Sequence, residues 1–352
     1  MLQEILDAGF IPQQPTRSRR YDANAQKWRE IDEPKQWPDQ YVHHALVQVL
    51  QPVMMRCMDP YCCGSIRGRG SSYARRAIQR WMRRDRKGTK YCLQLDIRHF
   101  YQSLTAETVM GRMRQLIKDG RILRLTEAIV RDGVRIGYYT SQWLANTVLQ
   151  PLDQIIRQSG AARHYVRYMD NFSIFGPNRR KLHRLRKEIE QWLRLRGLQL
   201  KGDWQLFPTG KRLPCAVGYR YARHYTLPRK RILLRIKRQA ARYRRKMRKQ
   251  ERIPYPLAAG MLSRLGMLRH CSNRKLYEAL FRGERIQRQL KNIIRAHARK
   301  ARKETWNTVM RSARTAERRG TERSRARSGS HDGAEAGRDH GALPADAGSA
   351  AR

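Results

Sequence analysis

The segment HYVRYMDNFSIFG, from His164 to Gly176, constrains the fold of this chain more than any other stretch. Aromatic and β-branched residues alternate with polar ones on both sides of its centre, the tetrapeptide Tyr-Met-Asp-Asn. A period of two is typical of strands, so the segment predicts two short strands joined by a tight turn. Asp170 then lies near the tip of a hairpin, where a carboxylate can reach a metal ion without being buried. A single aspartate at such a tip usually marks only a turn, and the rest of the chain decides between these two interpretations.

A second aspartate lies near the end of a predicted strand of a different kind. Tyr91 to Ile97 is a compact, largely apolar run of strand length, and it carries Asp96 near its end. A desolvated carboxylate needs compensating charge, which a bound divalent cation would supply. Two metal ions held by carboxylates can activate a 3′-hydroxyl and stabilise a leaving pyrophosphate. Asp96 and Asp170 are therefore candidate ligands for such ions.

The charge balance narrows the choice of partner. The 352 residues include 76 Lys plus Arg against 29 Asp plus Glu, a formal net charge of +47. No ordinary soluble metabolic enzyme needs such a field, which attracts polyanions and gives salt-dependent binding to phosphate backbones. A basic membrane-surface protein is the alternative, but the sequence shows no run of about 18 apolar residues and no signal segment. We therefore expect a cytoplasmic protein whose partner is nucleic acid and not a membrane.

The six cysteines form no CxxC pair and no zinc-binding spacing with histidine. Their scatter is typical of reduced, mostly buried thiols. We expect no structural metal site.

Helical patterns fill much of the remaining sequence. Apolar spacing predicts helices at about 40–58, 72–84, 105–132, 178–196 and 229–250, and two more between 256 and 302. Thr105 is a candidate N-cap, and so is Ser141, which would begin a helix that Pro151 bends or interrupts. Residues 1–40 are predicted to be a polar extension broken by prolines. Beyond about Glu317 the composition lacks apolar residues and predicts disorder.

Two basic segments are candidates for contact with phosphate. In CCGSIRGRGSSYARR, glycines alternate with Arg67 and Arg69, so that both the backbone and fork-shaped donors can approach a phosphate. A flexible basic loop is the alternative. Between Arg229 and Arg252, thirteen Lys and Arg and one acid surround a narrow apolar stripe at helical spacing. Such a charge run is usually a solvated face, but in a chain of this net charge we interpret it as a phosphate contact.

Taken together, these segments resemble the reverse transcriptase family over several blocks from about His43 to His270. LDIRHFYQSL is similar to the family's first catalytic block, and YMDN is similar to its Tyr-x-Asp-Asp signature. The resemblance implies that Asp96 and Asp170 bind metal, with help from the Ile97 carbonyl. Asn171 takes the remaining catalytic position. The implied cofactors are two Mg²⁺ ions, with Mn²⁺ as the alternative.

Other blocks imply the contacts to nucleotide and primer. RIGYYTSQWLANTVLQPLD is similar to the block that shapes the nucleotide pocket, AVGYRY is similar to the primer-grip strand, and the basic helix after it looks like the thumb. The implied nucleotide-binding residues are Arg67, Arg69, Tyr101 (as a steric gate against the ribose 2′-hydroxyl), Ile136, Gly137 and Gln142. The implied primer-grip residues are Val217, Gly218 and Tyr219. The implied nucleic-acid contacts of the thumb are Arg229, Lys230, Arg231, Lys237, Arg238, Arg244 and Arg245.

The sequence departs from the family pattern at two positions. Asn171 stands where the family has its second aspartate, and an amide brings a metal-binding oxygen without negative charge. This predicts weaker occupancy of one metal site or a changed metal preference. Ile136 stands where many relatives carry glutamine, and Ile-Gly-x-x-Thr-Ser-Gln is similar to the form found in diversity-generating retroelement enzymes. That likeness implies error-prone synthesis through looser nucleotide selection, while simple packing of Ile136 is the alternative.

The resemblance implies a right-hand polymerase of the α+β class, with an antiparallel palm sheet carrying helices and a basic helical thumb. We expect an N-terminal extension and fingers over 1–90, the palm over 91–225, the thumb over 226–303 and a basic, largely disordered tail over 304–352. The implied reaction is DNA synthesis on an RNA template from a DNA or RNA primer with dNTPs. We find no second run of spaced acidic and His residues, so the sequence does not predict an RNase H or nuclease domain.

Three functions stay open within this resemblance. The first is an enzyme like those of bacterial diversity-generating retroelements or group II introns, which could work with an accessory RNA-binding protein. The second is a defence-associated enzyme similar to those of retrons or abortive infection. The third is an RNA-binding derivative that has lost catalysis.

Overall fold

The structure, a computed structural model, describes residues 9–22, 27–272, 274–281 and 286–328. Its strands are β1 (Thr16–Asp22), β2 (Lys27–Glu33), β3 (Tyr91–Asp96), β4 (His164–Tyr168), β5 (Asn171–Gly176), β6 (Gln205–Pro208), β7 (Cys215–Ala216), β8 (Tyr219–Tyr221) and β9 (Thr226–Pro228). Its α-helices are α1 (Tyr41–Arg56), α2 (Ser71–Arg84), α3 (Phe100–Ser103), α4 (Ala106–Leu116), α5 (Gly120–Val130), α6 (Tyr139–Val148), α7 (Gln150–Gln158), α8 (Arg179–Arg194), α9 (Lys230–Arg248), α10 (Tyr255–Leu268), α11 (Arg274–Phe281) and α12 (Ile286–Ser328). This mixture of helices and antiparallel strands confirms the predicted α+β class.

A four-stranded antiparallel sheet with the strand order β4-β5-β3-β6 lies at the centre of the fold. β4 and β5 form the predicted hairpin, and their register pairs Tyr168 with Asn171 across a two-residue turn. β3 lies between β5 and β6, and its last residue, Asp96, is also paired with Asn171. The hairpin and the aspartate-bearing strand predicted from the sequence are both confirmed, and they are neighbours in one sheet.

Alternation along β3 distinguishes the two faces of this sheet. Leu93 and Leu95 share one face and are buried in the main core with apolar residues of α1 and of α4 to α8. Gln94 and Asp96 share the opposite face. On that side a smaller apolar cluster joins α2 to β4, β5 and β8, and it includes the buried Trp81. Most helices therefore pack on the sheet face that carries Leu93 and Leu95, and the face that carries Asp96 is partly open.

Most predicted helices are confirmed within a few residues, and their ends bring one correction. Thr105 caps α4 as predicted, because its hydroxyl accepts a hydrogen bond from the Thr108 amide at 3.2 Å. Ser141 as an N-cap is wrong, since α6 already begins at Tyr139. A hydrogen bond of 2.9 Å between His43 Nδ1 and Thr140 Oγ1 anchors that earlier start to α1. The predicted interruption at Pro151 is confirmed, because α6 ends and α7 begins beside it, with the proline in the first turn of α7.

The N-terminal segment contains more regular structure than its composition predicts. β1 and β2 pair along their whole length and place Tyr21 opposite Trp28. Both rings are more than half exposed, and their centroids lie 5.3 Å apart. This ribbon has no buried apolar face, so it lacks the alternation by which strands are recognised from sequence.

The C-terminal helices also differ from expectation. Among the residues that the structure describes, three helices follow α9, where two were predicted, and the last of them, α12, continues to Ser328. Residues 304–328, the first part of the tail expected to be largely disordered, are helical in the structure, because Arg, Ala, Glu and Lys favour a helix even where they build no core. The rest of the expected tail, residues 329–352, lies outside the described residues.

The described residues divide into two compact units. The first is drawn from Met1–Arg244 and Ser263–Gly283, and the second from Arg245–Leu262 and Glu284–Arg352. The segment predicted as the thumb thus contributes to both. Within the part of the chain that the structure describes, no helix is long and apolar enough to span a membrane, and all six cysteines are free thiols, as predicted.

Candidate active site

The two predicted catalytic aspartates meet at the ends of neighbouring strands. Asp96 ends β3, and Asp170 occupies the turn between β4 and β5. The Ile97 amide donates a hydrogen bond of 3.2 Å to the Asp170 carbonyl, which ties the turn to the end of β3. Met169 completes the turn with a left-handed backbone (φ 56°), a conformation that residues other than glycine rarely adopt. The structure thus brings the two carboxylates into one small region, and their role as metal ligands stays a prediction.

The electrostatics of the site show that its carboxylates share a restricted space. Burial raises the pKa of Asp170, and the nearby Asp96 carboxylate raises it further. Asn171 Nδ2 donates a hydrogen bond of 2.9 Å to Asp170 Oδ1. Lys201 Nζ lies 2.6 Å from Asp96 Oδ1, an ion pair that the sequence does not predict. Oδ1 is buried and has no partner with hydrogen-bond geometry, so Lys201 compensates its charge without satisfying it fully.

The donor set suits a hard divalent cation. Two mutually repelling carboxylates and the amide of Asn171 provide oxygen ligands of the kind that Mg²⁺ prefers. The described residues contain no group of three or more His, Cys, Asp or Glu side chains at metal-binding distance. A metal ion held by Asp96, Asp170 and the Asn171 amide would therefore face two negative charges, where three carboxylates would supply three. The role predicted for the Ile97 carbonyl stays a prediction.

Tyr101, the predicted steric gate, lies close to Asp170. Burial raises the pKa of its hydroxyl, and the charge of Asp170 raises it further, whereas the charge of Arg29 opposes both effects. Arg29 belongs to β2, so the N-terminal ribbon brings a cation to the predicted nucleotide site. Arg29 is not among the residues predicted from the sequence, because residues 1–40 are predicted to be only a polar extension. The signal that could have found it is the short Lys-Trp-Arg run beside alternating charges.

The predicted pocket block is held by the same ribbon. The Ile136 carbonyl accepts a hydrogen bond of 2.8 Å from the Asp32 amide, and Arg135 forms an ion pair of 3.0 Å with the Asp32 carboxylate. Gly137 has φ 122°, and a Cβ there would lie 2.3 Å from the Asp32 carbonyl oxygen, so only glycine fits. Ile136 is half-buried, while Gln142 is exposed on the first turns of α6. The nucleotide contacts of these residues stay predictions.

The arginine loop, defined here as Cys62–Gly70, lies against the catalytic turn. Arg69 donates a hydrogen bond of 3.2 Å to the Asp59 carbonyl, which fixes its guanidinium beside the loop, and Arg67 is exposed. A Cβ on Gly64 would lie 2.2 Å from Met169 Sδ and 3.0 Å from the Met169 backbone nitrogen. The loop therefore approaches the turn as closely as a glycine allows.

A cleft of about 780 Å³ opens on the sheet face that carries Asp96. It runs from Asp96, Tyr168 and Asn171 to the turn between β7 and β8, where Val217 and Gly218 of the predicted primer grip line it. Its cations are Lys211, Arg212, Arg220, Arg229 and Lys230. Tyr219 is buried beneath this turn. The other predicted thumb contacts belong to α9, and their contact with nucleic acid stays a prediction: Arg231, Lys237, Arg238, Arg244 and Arg245.

The sheet, its carboxylates and the basic cleft are features of a nucleotidyl-transferring palm, and comparison with known families agrees. A family model for reverse transcriptase (RNA-dependent DNA polymerase) matches residues 22–203, which is more than half of the chain. The matched region contains β2 with Arg29, both aspartates, the pocket block and Lys201. The chain belongs to the reverse transcriptase family, and its fold is the α+β fold of a right-hand polymerase.

Solved telomerase structures resemble the chain at very low sequence identity. Apo telomerase from Candida tropicalis is 8% identical over 82% of this chain and 72% of that chain, with a TM-score of 0.50. A C-terminally truncated form from the same organism is 11% identical over 61% and 55%, with a TM-score of 0.48. Telomerase from Candida albicans in complex with a fragment of telomeric RNA is 11% identical over 84% and 64%, with a TM-score of 0.47. The chain thus spans less than two thirds of the latter two, and the likeness concerns the fold alone. No curated protein sequence matches the chain.

Proposed function

We propose that the protein is an RNA-directed DNA polymerase that extends a primer on an RNA template with dNTPs. The observation that carries this proposal is that Asp96 lines a cleft of about 780 Å³ together with five cationic side chains, and that the Asp170 carboxylate lies near Asp96. A basic cleft binds a phosphate backbone, and carboxylates on rigid strand ends hold metal ions in a fixed geometry. Membership of the reverse transcriptase family supports the same activity.

Each residue has a distinct task in this proposal. Asp96, Asp170 and the Asn171 amide oxygen would hold divalent ions, Mg²⁺ or Mn²⁺, which when bound activate the primer hydroxyl and stabilise the pyrophosphate. Arg29, close to Tyr101, would attract the triphosphate of the incoming nucleotide. Tyr101 would exclude the ribose 2′-hydroxyl by contact.

The test is extension of a labelled DNA primer on an RNA template with dNTPs and either Mg²⁺ or Mn²⁺. We expect extension by the wild-type protein and none by Asp96→Asn, which keeps the size of the side chain and removes its charge. Both proteins should bind the primed template with the same salt dependence, since counterion release depends on the cleft cations. Equal extension by the two proteins would show that Asp96 has no catalytic role.

A second candidate is an RNA-binding protein without catalysis, which Asn171 favours. Its amide replaces a carboxylate and donates to Asp170 Oδ1, so the metal site has lost charge. This candidate predicts salt-dependent binding of primed RNA with no nucleotide incorporation in either metal ion. Detection of a single incorporated nucleotide that depends on Asp96 would exclude it.

Error-prone synthesis of the diversity-generating type is the finer form of the first proposal. Ile136 supports it because an apolar side chain offers no hydrogen bond to a nucleotide, although its carbonyl already anchors β2. Sequencing of cDNA from a defined template tests it, with Ile136→Gln as the comparison. Errors concentrated at template adenines, and reduced in Ile136→Gln, are expected. Equal error rates at all four bases would favour the defence-associated alternative, whose RNA partner a pull-down from the native host would identify.

A further inference from the structure

Arg167 lies directly beneath the catalytic turn and is completely buried. Its side chain is 0% exposed and forms a bidentate ion pair with Asp153, which is 1% exposed. Arg167 Nε donates to Asp153 Oδ1 at 2.8 Å, and Nη2 donates to Oδ2 at 2.6 Å. The Tyr165 hydroxyl also donates to Oδ1, at 2.6 Å. Because two charges must lose their water to form it, a buried pair of this kind is weak evidence for a stabilising role alone.

The other donors of Arg167 reach the turn and α6. Nη1 donates to the Met169 carbonyl at 3.2 Å and to Asn146 Oδ1 at 2.8 Å. Nη2 donates to the Asn146 carbonyl at 3.3 Å. A guanidinium has five N–H donors, and together with the two bonds to Asp153 all five have an acceptor. Lysine, with three donors on a single nitrogen, cannot reproduce this planar fork.

The bond to Met169 acts on the strained residue of the turn. Met169 has a left-handed backbone (φ 56°), and the next residue is Asp170. A methionine adopts this conformation only where its surroundings impose it. The Arg167 bond to its carbonyl is one such constraint, and it fixes the direction in which the chain continues into Asp170.

Asn146 extends the same support to the arginine loop. Its Nδ2 donates to the Gly64 carbonyl at 2.9 Å and lies 3.7 Å from Met169 Sδ. The carbonyl and side-chain oxygens of Asn146 both bind Arg167. The catalytic turn and the loop that carries Arg67 and Arg69 therefore rest on one shared group of hydrogen bonds.

We propose that Arg167 is a positioning residue of the catalytic hairpin, an inference that rests on the polymerase function proposed above. Through the Met169 carbonyl it sets where Asp170 presents its carboxylate. Through Asn146 it sets the position of the arginine loop relative to that carboxylate. The role of the buried Arg167–Asp153 pair is to fix this geometry. Asp153 and Tyr165 hold the guanidinium plane of Arg167, which contacts both the Met169 carbonyl and Asn146.

The first test compares Arg167→Lys with a matched control, Arg157→Lys. Arg157 forms a similar bidentate pair with Asp59, at 2.6 and 3.0 Å, but its other hydrogen bond goes to the Tyr165 carbonyl and not to the turn. A misplacement of roughly 1 Å at a reacting centre costs about 100-fold in rate. The single-turnover rate of Arg167→Lys should therefore fall about 100-fold, with unchanged affinity for the primed template. Arg157→Lys should keep its rate.

A second variant separates positioning from stability. Arg167→Met, combined with Asp153→Leu and Tyr165→Phe, replaces the buried polar group with apolar side chains, and proteins often tolerate such a replacement without losing stability. We expect a melting temperature near that of the wild type and a rate that stays about 100-fold low. Recovery of the rate along with the melting temperature would overturn the positioning role.

The inference and the proposed function fail in different ways. If the wild-type protein extends no primer in either metal ion, the polymerase proposal fails. Binding of Mn²⁺ to the Asp96–Asp170 pair, read by electron paramagnetic resonance, then tests the positioning role without turnover. Arg167→Lys should weaken Mn²⁺ binding by at least about tenfold, the lower end of the loss when groups that orient metal ligands are removed. Equal Mn²⁺ affinity in Arg167→Lys and Arg157→Lys would overturn the inference.

Discussion

Gly64 offers a direct way to disturb the catalytic turn. In Gly64→Ala the new Cβ would lie 2.2 Å from Met169 Sδ, which must move about 1.2 Å to reach the 3.4 Å at which ordinary contacts begin. The Met169 backbone nitrogen, 3.0 Å from the same Cβ, must move about 0.4 Å to reach that distance, so the backbone of the turn moves less than the sulfur. Overpacking of this kind costs about 1–3 kcal/mol of stability. A shift of roughly 1 Å at a reacting centre costs about 100-fold in rate, or about 2.7 kcal/mol in activation free energy, so the smaller shift of the turn backbone should lower the rate by less than about 100-fold.

The assay is single-turnover incorporation of one nucleotide at saturating primed template, with urea unfolding of the same samples. Gly70→Ala is the matched control, because it changes the same loop at a glycine whose Cβ would meet nothing within 4 Å. Adding Met169→Ala to Gly64→Ala removes the sulfur contact and should restore part of the rate. If Gly64→Ala and Gly70→Ala incorporate nucleotide at the same rate, the turn does not depend on this contact and the reasoning is refuted.

Two further predictions concern charge. Asn171→Asp should raise the extension rate and the affinity for Mg²⁺. In EDTA its melting temperature should fall, because a third carboxylate repels the other two, and Mg²⁺ should restore it. A melting temperature that does not depend on Mg²⁺ would contradict this. Burial lowers the pKa of His43 to about 4 in the folded protein, whereas in the unfolded chain it is near 6.5. As the pH falls, His43 is therefore protonated in the unfolded chain before it is protonated in the folded one. The free energy of unfolding should then fall by up to about 3 kcal/mol as the pH drops from 6.5 to 4, and urea titrations of His43→Asn should lack this part of the decline.

The sequence predicts the centre of the fold because there the local patterns and the tertiary structure agree. The period-2 hairpin around Asp170 and the apolar strand before Asp96 were both found as predicted. The break at Pro151 follows from the missing amide hydrogen of proline and needs no tertiary information. The approach of Asp96 to Asp170 came from the family resemblance and not from the spacing of the residues.

The missed features are those for which distant contacts decide. β1 and β2 carry charges on both faces, so no apolar alternation marks them, yet they bring Arg29 to the site. Lys201 follows a short bridge to Ile97, and only this pairing places its ammonium on Asp96. Arg167 looks like a solvent-facing strand residue between Val166 and Tyr168, but α6 and α7 cover it completely.

Left-handed backbone at residues other than glycine recurs around the candidate site. Ser65 in the arginine loop (φ 56°), His99 after Asp96 (φ 48°), Met169 (φ 56°) and Val217 in the predicted primer grip (φ 45°) all adopt it. Such residues cost about 1–3 kcal/mol each and persist only where the surrounding structure imposes them. Because they are concentrated in these blocks, we infer that the backbone conformation of the site lowers the stability of the fold. The cost of this strain can be measured at Val217.

Val217 and Gly218 form a two-residue turn between β7 and β8 with positive φ at both positions (45° and 87°). Turns of this type favour Asn before Gly, and a β-branched residue is strained there. Val217→Asn should therefore raise the free energy of unfolding by roughly 1–2 kcal/mol. It should also weaken binding of the primed template, because the Val217 side chain lines the cleft. Urea unfolding and fluorescence anisotropy measure the two effects. A more stable variant with unchanged template affinity would show that the strain at Val217 serves no contact with nucleic acid, and a less stable one would show that the turn is not strained.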